Sequence, residues 1–136
     1  MNYKNKNRTK RNNILKVAID SPAAAGAGTQ AKLISKHYNL LQLDTGSIYR
    51  YVANIKINKP NKFNYLYLKR KISKLKIKDL KNKKLISDEV ATIASIIAKD
   101  KKIRKLVNSF QLKCAYNPPK KYAGSCLDGR DICSII

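Results

Sequence analysis

An α/β domain with a parallel sheet flanked by helices is the fold class that the sequence predicts, on three observations. Three short apolar runs, Leu15–Asp20, Leu40–Leu43 and Ala123–Leu127, have the length of buried strands. The segments between them carry helical periodicity and are long enough for crossovers, which parallel strands require. Each run also leads into a polar cluster: Ser21–Thr29, Asp44–Arg50 and Asp128–Asp131. Ligands of parallel sheets bind beyond the carboxyl ends of the strands, so clusters at the same end of three strands point to one site.

The elements follow in order. Leu15, Val17 and Ile19 make the first strand, and Ser21-Pro22 ends it because proline has no ladder donor. The next seven residues, Ala23 to Thr29, have almost no side-chain bulk. Such a loop can curl tightly and bring its N–H groups to a ligand. A helix over Gly28–Tyr38 follows, with Ala31, Leu33, Ile34 and Tyr38 as its expected apolar stripe. Strand, small loop and helix is the setting of a phosphate-binding loop, since a helix N-terminus offers free N–H donors and positive potential to an anion. The full signature, G-x-x-x-x-G-K-[ST], is incomplete: Ser21 and Ala27 stand at its first glycine and its lysine. By spacing alone, an alanine-rich turn before an amphipathic helix is the competing interpretation.

Leu40–Leu43 is the second strand, and Asp44-Thr45-Gly46-Ser47 is a turn able to cap a helix over Ser47–Ile57. That helix places Ile48, Tyr51, Val52 and Ile55 on one face. Pro60 marks a linker at Asn58–Lys62. Loose alternation of apolar residues with lysines in Phe63–Ile86 predicts a small helix followed by short antiparallel strands. Ser87-Asp88-Glu89 starts a helix over Asp88–Lys99, and another spans Lys101–Tyr116 until Asn117-Pro118-Pro119 stops it. Lys120–Tyr122 links to the third strand.

The chain has 136 residues, enough for one domain with a modest core. No apolar run reaches membrane-spanning length, and Met1–Asn13 is a polar, basic stretch expected to be disordered, without a signal-peptide core. Cys114, Cys126 and Cys133 lack metal-ligand spacing and are expected to be reduced thiols in a cytoplasm. His37 stands alone at a helix end, where a cation is favoured, so no catalytic role is assigned to it. The net charge of +22 allows nucleic acid, an anionic surface or anionic small molecules as partners. The excess is mostly lysine, accompanied by much asparagine and isoleucine, all A/T-rich in codons. Compositional drift plus a solvated surface accounts for that mixture, and no stacking platform or nucleic-acid motif is present.

Four segments carry a family resemblance. VAIDSPAAAGAGTQAKLISK resembles the IDGPAGSGKGT-like opening of the bacterial cytidylate kinases. LLQLDTGSIYR resembles their LDTGAMYR segment, SDEVATIASIIAKDKKIRKL their helix pair with a serine and an arginine, and CLDGRDICSII their EGRDIGT segment. Order and spacing agree from Ile14 to the C-terminus, while Ile57–Leu85 matches only in kind. On these segments the chain resembles the (d)CMP kinase family of P-loop nucleoside-monophosphate kinases.

That resemblance implies ATP as phosphoryl donor, Mg²⁺ carried by the substrate phosphates, and CMP or dCMP as acceptor. It implies a P-loop NTPase-like sheet, with residues 14–136 forming a partial kinase domain and 57–87 a small acceptor-binding insertion. By matched position, Ser21, Pro22, Ala23, Ala24, Ala25, Gly26, Ala27, Gly28 and Thr29 would wrap the ATP phosphates, with the Thr29 hydroxyl towards Mg²⁺ or a phosphate. Thr45 and Arg50 would hold the acceptor, with Arg50 on its phosphate, and Ser95 and Arg104 would read the cytosine edge. Arg130 and Asp131 would act at the acceptor as the catalytic pair. The chemistry suits these roles: a guanidinium presents a rigid fork of donors, and an acceptor-only carboxylate belongs near donors. Each has a structural competitor. Arg50 and Arg104 could be solvated helix arginines, Ser95 packing, Thr45 a helix cap, and Arg130 with Asp131 an ion pair. Partners are expected to be small nucleotides, without membrane or nucleic acid, and the chain a cytoplasmic monomer.

Departures from the family pattern bear on activity. Ala27 stands where the loop lysine would reach the β/γ phosphates, Ser21 and Ala24 replace glycines, and Cys133 replaces another. The further C-terminal part of family members, with more strands and a lid, is expected to be missing, so the first strand is expected at an open sheet edge and turnover is expected to be low. Two alternatives stay open: a catalytically inactive CMP-binding or decayed fragment, and a basic nucleic-acid-binding protein.

Overall fold

A computed structural model of the chain describes residues 14–20, 26–130 and 132–135. The expected N-terminal extension (1–13), donor-loop positions Ser21, Pro22, Ala23, Ala24 and Ala25, and Asp131 lie outside the described residues. The chain divides into two compact units, one from the described parts of Met1–Leu43 and Gln111–Ile136, the other from Asp44–Phe110.

The first unit is the α/β part. Strand β1 (Leu15–Asp20) leads towards helix α1 (Ala27–Tyr38), which is followed by β2 (Leu40–Asp44). The chain returns through the end of the helix that spans Lys101–Tyr116, then forms β3 (Gly124–Gly129) and one short final helix (Ile132–Ile135). The sheet order is β1-β3-β2. β1 and β3 run parallel, with Leu15 opposite Gly124 and Asp20 opposite Gly129. The predicted α/β class is therefore the observed one, and β1 stands at the edge of this sheet, with Leu15 44% exposed. Gly124 has a steric reason. A Cβ there would lie 1.9 Å from the Leu15 carbonyl oxygen, so only glycine lets the two backbones meet at this end of the ladder.

α1 begins at Gly26, whose φ of 81° is left-handed, and ends at Asn39, also left-handed at φ 54°. Glycine and asparagine are the residues that adopt this conformation at least cost. The Asn39 side chain donates to the Lys121 carbonyl at 2.9 Å, tying the helix end to the entrance of β3. Ala31, Leu40 and Cys126 form a buried cluster, with Val17, Ile19 and Ile34 packed against it. The expected stripe of α1 needs correction. Ala31, Ile34 and Ser35 face inward, whereas Leu33 is 64% and Tyr38 53% exposed. Leu33 sits about 200° around the helix from Ala31, so it cannot share that face.

The second unit is helical. α2 (Thr45–Asn58) packs on α4 (Asp88–Ile97), and α3 (Tyr65–Ser73) lies between them in sequence. α5 (Lys101–Tyr116) contributes its first ten residues to this unit. Ile48, Val52 and Ile55 of α2 are buried, as are Val90, Ala94 and Ile97 of α4. The cap predicted at Ser87 forms, its Oγ accepting from the Val90 N–H at 3.2 Å, and α3 is capped by Asn64, whose Oδ1 accepts from the Tyr67 N–H at 2.9 Å. The antiparallel strands expected within Phe63–Ile86 do not form. α3 is followed by 3₁₀ turns at Ile77–Lys81 and Lys83–Ile86. Leu80 and Leu85 are buried, one in each turn, and Leu75 is buried just before them. Asp79 and Asn82 accept backbone N–H groups at 3.0 Å and lock the turns. One leucine every fifth residue imitates alternation when it is read as a strand.

Candidate functional site

In the first unit, the carboxyl ends of β1 and β3 and the start of α1 carry the donor-side candidates. Gly26, Gly28 and Thr29 are exposed and Ala27 is half-buried. Among the described residues no side chain caps α1, and its first turn holds no acidic residue, so its leading N–H groups meet no described side-chain acceptor. Asp128 is buried at the end of β3, with its Oδ2 3.9 Å from where a Cβ on Gly28 would stand. A carboxylate beside a helix start suits a divalent cation riding on phosphates, and Mg²⁺ characteristically takes one or two carboxylates together with substrate phosphates. Among the described residues there is no cluster of three or more metal-ligating side chains.

Arg130 follows β3 and is exposed. Its loop is anchored just beyond: the Cys133 N–H donates to Asp20 Oδ1 at 3.0 Å, and Cys133 Sγ lies 3.6 Å from the Ala18 carbonyl. The end of β1 therefore holds the segment that carries Arg130. All three cysteines are free thiols. Burial pushes Cys114 up to about 11, with Lys113 pulling slightly the other way, so this thiol stays protonated at neutral pH.

In the second unit, Asp44 organises the start of α2. Its Oδ1 accepts from the Gly46 N–H at 3.0 Å, its Oδ2 accepts from Arg50 Nη2 at 2.8 Å, and its carbonyl accepts from the Ser47 hydroxyl at 2.5 Å. The helix cap is thus Asp44, not Thr45, which is the first helical residue and is 4% exposed. Arg50 is half-buried and ion-paired rather than freely solvated. Ser95 is exposed on α4, where its hydroxyl donates to the Thr92 carbonyl at 2.7 Å. That hydroxyl keeps its acceptor lone pairs, and its exposure removes packing as its explanation. Arg104 is exposed on α5 and approaches the phenol of Tyr49. Burial raises the Tyr49 pKa, and the charge and hydrogen bond of Arg104 pull it partway back.

Thr45, Arg50, Ser95 and Arg104 thus all belong to the second unit, while Gly26, Ala27, Gly28, Thr29 and Arg130 belong to the first. Sequence reasoning missed Asp44 as the partner of Arg50, Gly46, Tyr49 as the neighbour of Arg104, and Asp128 beside Gly28. The sequence places Gly46 in a capping turn, whereas it is the second residue of α2, where glycine is costly without a reason. The reason is steric, because a Cβ on Gly46 would come 3.2 Å from Asp44 Oδ1 and 3.3 Å from Arg50 Nη1.

A model of the cytidylate kinase family matches residues 17–136. Curated relatives are similar over the same span. The chain is 37% identical over 126 residues to the cytidylate kinase of Bradyrhizobium sp. (strain ORS 278), with 88% of this chain and 55% of that protein covered. Over 127 residues it is 39% identical to the cytidylate kinase of Bartonella tribocorum, and over 125 residues 38% identical to that of Bartonella quintana. Each of these two matches covers 88% of this chain and 54% of the relative. The chain spans about half the length of the curated relatives it matches. With the family model matching residues 17–136, the chain belongs to the cytidylate kinase family.

Proposed function

We propose that this chain carries the nucleotide-binding machinery of an ATP-dependent kinase of CMP or dCMP, with the acceptor residues retained and the donor side weakened. The observation that carries the reading is the gathering of Thr45, Arg50, Ser95 and Arg104 in one compact unit, with Arg50 held by Asp44 and with Ser95 and Arg104 exposed. Arg50 offers its remaining donors to the acceptor phosphate. Ser95 and Arg104 offer an acceptor and a donor fork to a pyrimidine edge.

In the reaction, a phosphate oxygen of CMP attacks the γ-phosphorus of ATP, the bond to the β–γ bridging oxygen breaks, and ADP leaves. Catalysis is mostly positioning and neutralisation of charge. The N–H groups opening α1 and the Thr29 hydroxyl would hold the donor phosphates. Thr29 and Asp128 are the groups that would face Mg²⁺, which supplies charge neutralisation between the phosphates when bound. Arg130, and Asp131 beside it in sequence, would serve the acceptor as catalytic residues. Ala27 brings no charge to the β/γ phosphates. Loss of one preorganised charge stabiliser costs on the order of 100- to 1,000-fold in rate, so binding is expected to outlast transfer. A cytoplasmic setting, which keeps thiols reduced, suits the three free cysteines.

The test is calorimetric titration of the purified chain with CMP, AMP and UMP, alongside ATP-dependent CDP formation. Saturable CMP binding at least about tenfold tighter than AMP or UMP binding supports the reading, since one well-made polar contact is worth about that much. Equal affinity for the three nucleotides, or none, would overturn it.

A further inference from the structure

The contacts around Asp44 point to a role beyond capping. We infer that Asp44 is a positioning residue that fixes the Arg50 guanidinium for an anionic phosphate, and that Gly46 is glycine so that this arrangement can form. The inference rests on the acceptor-site reading above and deepens it.

Three observations carry it. Both carboxylate oxygens of Asp44 are committed, one to the Gly46 N–H at 3.0 Å and one to Arg50 Nη2 at 2.8 Å. The carboxylate is therefore locked to the first turn of α2, and the guanidinium is locked to the carboxylate. Arg50 lies six residues further along, and helical side chains lean towards the N-terminus, so a long arginine can reach back to the cap. Second, this is the only ion pair among the described residues, in a chain with 30 basic and 8 acidic side chains. Third, the space above Gly46 is already taken: a Cβ there would stand 3.2 Å from Asp44 Oδ1 and 3.3 Å from Arg50 Nη1, tighter than ordinary contacts. The guanidinium thus lies over a bare backbone position at a helix start, where dipole and arginine both favour an anion.

Pairing leaves most of the five guanidinium donors for the ligand, while the rotamer freedom that binding would otherwise have to freeze is already removed. Asp44→Asn separates the two duties. The amide oxygen still accepts from the Gly46 N–H, but the amide NH₂ cannot accept from Arg50. Gly46→Ala reaches the same guanidinium sterically while leaving the carboxylate in place.

The experiment compares the full-length wild-type chain with Asp44→Asn and Gly46→Ala in three readouts. These are affinity for CMP, affinity for cytidine, which lacks the phosphate, and the order of the Arg50 guanidinium by NMR of its Nε–H. The expected result is a loss of about three- to tenfold in CMP affinity in both variants, as for one side chain that must be ordered on binding. Cytidine affinity stays unchanged, and the Arg50 Nε–H signal becomes motionally averaged. Parallel losses for CMP and cytidine would mean a merely structural cap, and would overturn the inference. So would tighter CMP binding by Asp44→Asn, because the carboxylate would then be competing with the phosphate. A wild-type chain without CMP affinity would overturn the acceptor reading and this ligand together. An Arg50 signal as ordered in Asp44→Asn as in the wild type would overturn the pairing alone.

Discussion

At the scale of single residues, the groups proposed to hold the donor and the acceptor contrast. On the acceptor side, Arg50 is paired at 2.8 Å, and Tyr49 touches Arg104. On the donor side, Ala27 opens a helix that no described side chain caps. Restoring a cation there is the simplest repair. Ala27→Lys is expected to raise the rate of CDP formation by at least about tenfold, part of the 100- to 1,000-fold assigned to one charge stabiliser, with CMP affinity unchanged. A coupled assay of ADP release, read beside CMP titration, checks both halves. A lysine variant that leaves the rate unmoved would mean that the donor loop is limited by something other than charge. Gly26 should not be altered at the same time, since its φ of 81° is needed to start α1.

At the scale of elements, the strands and long helices were legible because their patterns are local. β1 and α2 were read nearly to their observed ends, and Ser87 was recognised as the cap of α4, since its hydroxyl sits where an N-cap must. Other features depended on tertiary contacts that no window of sequence contains. Leu33 of α1 is apolar yet 64% exposed, because the face that packs is set by Ala31 and by the sheet. The turns after α3 passed for strands because Leu75, Ile77, Leu80 and Leu85 alternate loosely with lysines, which local sequence cannot tell from a strand. The Asp44–Arg50 pair escaped because a spacing of six matches no helical neighbour rule. Gly124 likewise gains meaning only from Leu15 across the ladder. Gly124→Ala is expected to destabilise the first unit by at least about 1–3 kcal/mol, the usual cost of overpacking, because backbone must move rather than a side chain. Urea denaturation measures this. A cost below about 0.5 kcal/mol, the range of a neutral surface change, would mean that the β1–β3 contact is looser than described.

At the scale of the whole molecule, the charge is unevenly spread. Twelve of the 30 basic residues, against one acidic residue, fall between positions 56 and 84. Within that stretch, Lys56 and Lys71 sit over the rings of Phe63 and Tyr67 at 5.6 and 5.5 Å, and the cations form no ion pair. No helix among the described residues is long and apolar enough to cross a membrane. Such a field attracts any phosphate-bearing ligand and strengthens at low salt, so nucleotide selectivity rather than nucleotide attraction separates a kinase site from a general polyanion surface. The most direct measurement is therefore a residue-resolved NMR titration with CMP at physiological ionic strength, with UMP as the control. The account predicts CMP-specific shifts at Thr45, Arg50, Ser95 and Arg104, largest around Arg50, and weaker shifts with UMP at Ser95 and Arg104. Shifts confined to positions 56–84, equal for both nucleotides and erased by added salt, would contradict it.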